Sequence, residues 1–134
     1  MARSYCILLG GDPFGSLVVA LEEAGMTVVL TASEREELDA RDVERADVVV
    51  VADDKMGNRC LAVLRSVRDR YPDLPIILLG RHCQVDLAVQ ALKLGSVEYL
   101  TRPISPHRLC DKIEDAVERR DCLRELTRRT PSQV

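Results

Sequence analysis

Tryptophan is absent and aromatic residues make up only 3% of the 134 positions. The chain therefore lacks a platform on which the bases of a single-stranded nucleic acid could stack. Neither sign of charge dominates, with 19 Lys and Arg against 22 Asp and Glu and a formal net charge of −3. A surface built to neutralise phosphates would be strongly basic, so no direct nucleic-acid contact is expected. No apolar run approaches the roughly 20 residues of a membrane span. The longest, Val48 to Ala52, is strand-sized, and the N-terminal apolar run stops at Gly10. Neither a signal peptide nor a membrane anchor is read from it, and a cytoplasmic location is expected. There are two histidines and five cysteines (Cys6, Cys60, Cys83, Cys110 and Cys122), with no C-x-x-C spacing. An odd count at wide intervals suits neither a disulfide framework nor a zinc site, so no metal and no cofactor are expected. The cysteines read as reduced thiols, mostly small core residues, with a redox sensor as the sharper alternative. His82 and His107 read as surface residues. No Ser-His-Asp or Cys-His arrangement can be built on them, so catalysis is not expected.

What the sequence does contain is an alternation of two patterns. Short β-rich runs lie at Tyr5–Leu9, Thr27–Leu30, Asp47–Val51, Ile76–Leu79 and Val97–Leu100. Nearly continuous apolar runs of this length suit strands covered on both faces. Between and after them lie stripes at helical spacing: Leu17, Val18, Leu21 and Ala24; Leu61, Leu64 and Val67; Val85, Ala88, Val89 and Leu92; Leu109, Ile113, Ala116 and Val117. Five β-then-α units in one domain-sized chain predict an α/β fold with a parallel sheet between helices.

Punctuation supports the boundaries. Asp12-Pro13 and Ser105-Pro106 each place an N-cap before a proline at the first helical position. Ser33 with Glu36 forms a capping box for a second helix that has little apolar face. Gly25 and Gly95 stand where helices end before strands two and five. The last helical pattern continues past Val117 through Leu123 and Leu126 and stops before Pro131. This stretch is rich in arginine (Arg119, Arg120, Arg124, Arg128 and Arg129). It reads as a solvated helix end whose cations suit the macrodipole, or as a linker helix or dimer stripe. The expected division is a domain over residues 1–120, then a helical extension or linker and a disordered tail over 121–134.

Ligands of open parallel sheets bind beyond the carboxyl ends of the strands. That directs attention to Gly10–Asp12, Ala52–Gly57, Gly80–His82 and Thr101–Pro103. The stretch Gly10, Gly11 and Gly15 lacks both the dinucleotide register and a P-loop lysine, so it is a weak nucleotide signal.

The segments Asp73-Leu74-Pro75-Ile76-Ile77-Leu78-Leu79, Val85 through Gly95, and Glu98-Tyr99-Leu100-Thr101-Arg102-Pro103-Ile104 closely resemble the second half of a response-regulator receiver domain. The similarity is greatest to receivers attached to sigma-54-dependent transcriptional activators. It covers residues 4 to 120, and the first half matches more by element pattern than by motif. The resemblance implies a flavodoxin-like doubly wound sheet of five parallel strands, order 2-1-3-4-5, with five helices. It also implies a five-part phosphorylation site: two acids that help hold Mg²⁺, an aspartate nucleophile, a hydroxyl residue and a lysine, which together offset the charge of the transferring phosphoryl group.

In this chain those places are filled otherwise. The acidic pair falls on Gly10 and Gly11, the nucleophile on Ala52, the hydroxyl on Gly80 and the lysine on Arg102; the aromatic switch position is kept as Tyr99. Glycine and alanine side chains neither accept a phosphoryl group nor coordinate a metal. The reading is a degenerate receiver in two-component signal transduction that takes up no phosphate and acts through protein contacts on an output, expected to be transcriptional. Asp53 and Asp54 follow Ala52, and Asp12 stands near the glycine pair. A phospho-accepting receiver using Asp53 is one rival, but strand alternation points residue 53 away from where residue 52 points. A small-ligand module in the emptied pocket is the other. Arg102 reads as a surface cation or as an internal partner for Asp12 or Asp53. Tyr99 reads as a packing residue rather than a retained switch. The expected partners are an output domain or another protein, with homodimerisation through a face made by Val85–Leu94, Tyr99 and Leu109–Val117.

Overall fold

The computed structural model describes residues 5–9, 16–31, 44–52, 59–80, 85–95, 98–101 and 104–129. Within them lie β1 (Tyr5–Leu9), α1 (Ser16–Glu23), β2 (Thr27–Thr31), β3 (Val48–Ala52), α2 (Arg59–Arg70), β4 (Ile76–Gly80), α3 (Val85–Lys93), β5 (Glu98–Thr101) and α4 (Pro106–Arg129). The strands form one parallel sheet in the order β2-β1-β3-β4-β5. This is the expected order, and the strand bounds agree with the apolar runs to within a residue or so at each end. The expected second helix over residues 33–42 lies outside the described residues.

The sheet divides the core by strand parity, as side chains alternate across a pleated strand. Val49, Val51, Ile76 and Leu78 face one way, against Val63, Leu64 and Val67 of α2 and Ala91 of α3. Val48, Val50, Ile77 and Leu79 face the other, against Leu21 of α1 and Leu109 and Ile113 of α4. All eight strand residues are fully buried. That accounts for continuous apolar runs in place of alternating ones.

Local chemistry sets the element ends. The backbone N–H of Arg108 donates to Ser105 Oγ at 3.1 Å, so Ser105 caps α4 as its sequence position indicated. Gly25 and Gly95 adopt φ of +93° and +106°, the left-handed region a side chain resists, and each ends a helix.

Two stripes differ from expectation, and a third bears on the expected dimer face. Ala24 is exposed rather than inward. On α3 the core face is Leu87, Ala91 and Leu94, whereas Val89 and Leu92 are 44% and 51% exposed. The two faces of this helix are about equally apolar, so periodicity alone did not select the buried one. On α4, Leu109, Ile113 and Ala116 are buried in the domain itself. They are not available to the homodimer face assigned to Leu109–Val117.

Helix α4 is one unbroken helix of 24 residues, and every residue from Asp121 to Arg128 is exposed. It is anchored just before that stretch by Arg120, read from sequence as solvated but in fact 9% exposed. Its Nη1 donates to the Asp47 carbonyl at 3.1 Å and its Nη2 to Asp47 Oδ1 at 2.8 Å. Its Nε and Nη2 also donate to Asp121 Oδ1 at 3.1 and 3.0 Å. Burial alone would lower the guanidinium pKa, but the hydrogen bonds it donates to Asp47 and Asp121 outweigh it and the net direction is up. The sequence signal was available: Arg120 continues the spacing of Leu109, Ile113 and Ala116 by one further turn.

Candidate functional site at the carboxyl ends of the strands

The parallel register brings the carboxyl ends of the strands to one edge. Leu9 pairs with Val51, Ala52 with Leu79, and Gly80 with Thr101. The chain leaves β1 toward Gly10 and Gly11, β3 toward Asp53 and Asp54, and β5 toward Arg102. Those residues and Asp12 lie outside the described set, as does His82. Of the sequence-derived site, Ala52, Gly80 and Tyr99 have a described position, and the fold brings all three to this end of the sheet. Ala52 is the last residue of β3 and Gly80 the last of β4.

The geometry around Gly80 is the most informative part of this edge. A Cβ placed on Gly80 would touch the Tyr99 hydroxyl and lie 2.9 Å from Tyr99 Cζ. Non-bonded carbons approach to about 3.5–4.0 Å, so any side chain at position 80 requires the ring to move. Tyr99 is half-buried and packs against the core on the α2 and α3 side of the sheet. The ring thus packs at this edge of the sheet. This corrects the idea of an emptied pocket at Gly80: the room left by the missing side chain is taken by the Tyr99 ring.

Beyond Tyr99, β5 is tied to α4 by Lys112 Nζ and Glu98 Oε1 at 3.6 Å, a partly exposed pair. On α3, Val89 and Leu92 stand exposed one turn apart. Of the remaining singled-out groups, His107 is exposed and lies 3.8 Å from Asp111 Oδ2. Cys110 is buried and Cys122 exposed, so Cys122 is not the core residue the composition suggested. Among the described residues no group of three or more His, Cys, Asp or Glu side chains is placed to hold a metal ion. No described helix is long and apolar enough to cross a membrane.

Comparison with known proteins places this arrangement in context. The model of the response regulator receiver domain matches residues 15–114. The C4-dicarboxylate transport transcriptional regulatory protein DctD of Pseudomonas aeruginosa is 32% identical over 120 residues, covering 87% of this chain and 26% of that protein. The chain thus spans about a quarter of the length of this curated relative. Among solved structures, a receiver domain protein from Methanospirillum hungatei superposes with a TM-score of 0.78 at 18% identity, covering 90% of this chain and 98% of that one. NtrX from Brucella abortus superposes with a TM-score of 0.83 at 18% identity, covering 96% of this chain and 29% of that one.

Proposed function

The chain belongs to the response regulator receiver domain family, a signalling module rather than an enzyme, and from that premise we propose that it is a receiver that takes up no phosphate and works through protein contact. The observation that carries this reading is Tyr99 lying over Gly80 at the end of β4, beside a β3 that ends in Ala52. With Ala52 at the nucleophile's place and Gly80 at the hydroxyl's, neither position offers an oxygen to a phosphoryl group or to a divalent cation. Gly10 and Gly11 at the acidic pair's places add none. This donor set does not suit Mg²⁺, which needs an octahedral shell of oxygens. No step through the metal is assigned.

A switch moves only when a ligand binds one state better than the other. With no hydroxyl at position 80 to be drawn toward a phosphoryl group and the ring already occupying that space, Tyr99 is held in one place. The module then presents a constant surface. Val89 and Leu92 on α3, together with Tyr99 on β5, are the residues we assign to contact with a second copy or an output domain. The transcriptional role of DctD supports a transcriptional output. On this reading residues 1–120 are the module and 121–134 the extension toward that output.

The test is titration with beryllofluoride and Mg²⁺, and separately with acetyl phosphate and Mg²⁺, followed by ¹H–¹⁵N spectra and intact mass. The expected result is no saturable shift at Ala52, Gly80 or Thr101 and no added phosphoryl mass. A saturable shift there, or a phosphoryl group on Asp53 or Asp54, would overturn the proposal in favour of a working receiver.

A further inference from the structure

The carboxyl-terminal half of α4 and the turn before β4 enclose a groove of about 750 Å³, far from the strand ends discussed above. Helix geometry of 100° per residue orders its α4 wall. Ala116, Leu123 and Thr127 run along the middle as a small and apolar strip. Arg119 lies on one flank of that strip, Arg124 and Arg128 on the other. Pro72 and Pro75 form the facing wall. Leu123 is 59% exposed although it continues the buried stripe of Leu109, Ile113 and Ala116. The one carboxylate on the walls, Asp73, acts on Arg68. Arg68 itself is committed to the fold, its Nη2 donating to the Gly95 carbonyl at 2.6 Å and its Nη1 to the Pro72 carbonyl at 2.5 Å. Arg128 approaches Glu125 at 3.8 Å. Among the described residues, Arg119 and Arg124 have no carboxylate partner.

We propose that this groove binds an acidic amphipathic helix of a different polypeptide, with apolar side chains against Leu123 and carboxylates on Arg119 and Arg124. Charge selects this occupant over a second copy. The strip follows heptad spacing, with Arg120, Leu123 and Thr127 at the seam and Ile113 and Ala116, in the same register, buried in the domain. In a parallel self-pair, Arg119 at one flanking position would meet Arg124 of the other copy five residues on, the pairing that sets partner choice in coiled coils. Two guanidinium groups there repel, and Arg120 at the seam is already taken by Asp47 and Asp121. A partner with glutamates at those places turns the repulsion into attraction. Nucleic acid is disfavoured by the apolar floor and by the lack of any aromatic ring among the lining residues.

The probe is a fluorescein-labelled 16-residue peptide with leucine at helical i, i+3, i+4, i+7 spacing and glutamate elsewhere, followed by anisotropy and by ¹H–¹⁵N mapping. Binding should weaken with salt and shift the amides of Leu74, Arg119, Leu123 and Thr127. The double charge reversal Arg119→Glu with Arg124→Glu, at two exposed sites and checked for fold by circular dichroism, should weaken binding at least about tenfold. The reversed protein should instead bind the same peptide carrying lysine for glutamate. Equal affinity of the original and reversed proteins overturns the proposal, as does absence of binding or shifts confined to another face. So does displacement of the peptide by a 20-base-pair DNA duplex at lower concentration. Sedimentation supplies the remaining arm: a dimer that Leu123→Glu converts to monomer would show the strip to be covered by a second copy and overturn it too.

Discussion

The ring of Tyr99 sits where a side chain on Gly80 would have to be, with Cζ 2.9 Å from the position of a Cβ there. The two residues are on adjacent strands, β4 and β5, and the glycine lets the tyrosine lie across the strand end. Their identities are therefore coupled: either can be enlarged only if the other gives way.

Gly80→Thr should displace the ring. Overpacking a filled site costs about 1–3 kcal/mol, and that is the expected loss by urea denaturation. In the Tyr99→Ala background the same substitution should cost little, because the obstructing ring is gone. A double-mutant cycle reads the difference as the coupling energy. Equal cost in both backgrounds would show that Tyr99 does not fill the Gly80 space in solution.

Arg120→Ala should destabilise the domain by about 2–4 kcal/mol, since it removes donors from the Asp47 carbonyl and carboxylate and cuts the link between α4 and the start of β3. The lower end is favoured because Asp47 is partly open to water, at 28% side-chain exposure. Arg120→Lys should recover only a fraction. A single ammonium cannot reproduce the guanidinium fork that reaches Asp47 and Asp121 together. Denaturant midpoints of the three proteins give the ranking.

How far the sequence could be read follows from these same residues. The strands were legible because Val48–Val51 and Ile76–Leu79 are buried on both faces and therefore apolar without interruption. Ser105, Gly25 and Gly95 were legible because a cap and a left-handed turn each select a residue type by local sterics. The buried face of α3 was not, because Val89 and Leu92 outside look the same as Leu87 and Ala91 inside. Arg120 was missed because a charge near a helix end is usually solvated, and its burial depends on Asp47, 73 residues away. At the strand ends Gly80 and Tyr99 lie side by side, whereas Gly10, Gly11, Asp12, Asp53 and Arg102 lie outside the described residues.

Gly95→Ala and Gly25→Ala form a matched pair. Both glycines have positive φ, so each alanine carries the left-handed penalty of about 1–2 kcal/mol. At Gly25 nothing lies within 4 Å of the added carbon, and the penalty should be the whole effect. At Gly95 the carbon would stand 2.7 Å from Arg68 Nε and 3.1 Å from Arg68 Cδ. The arginine that holds the Tyr71, Pro72 and Gly95 carbonyls would have to shift. Gly95→Ala should therefore be clearly the more destabilising of the two. Thermal or urea unfolding of both variants checks the order, and equal losses would mean that Arg68 does not press on Gly95.

Cys110 and Cys122 should differ in reactivity, and Cys110 should make stability depend on alkaline pH. Cys110 is buried, and burial first, then the charges of Glu114 and Asp111, push its thiol pKa up from the ordinary value of 9.0. The neutral thiol is thus favoured in the folded chain, while the unfolded chain ionises at the ordinary value. Between the two the native state holds the extra proton, so the contribution is intact below about pH 9 and is lost as pH rises through the raised folded pKa. Stability measured by urea from pH 7.5 to 10.5 should fall less steeply for Cys110→Ala than for the parent, after its constant packing loss is subtracted. Cys122 is exposed on α4 and should react with a thiol reagent in the native protein at pH 8, with Cys110 protected until unfolding. Rapid native labelling of Cys110, resolved from the other thiols by peptide mapping, would show that the α1–α4 side of the core opens far more readily than its packing implies.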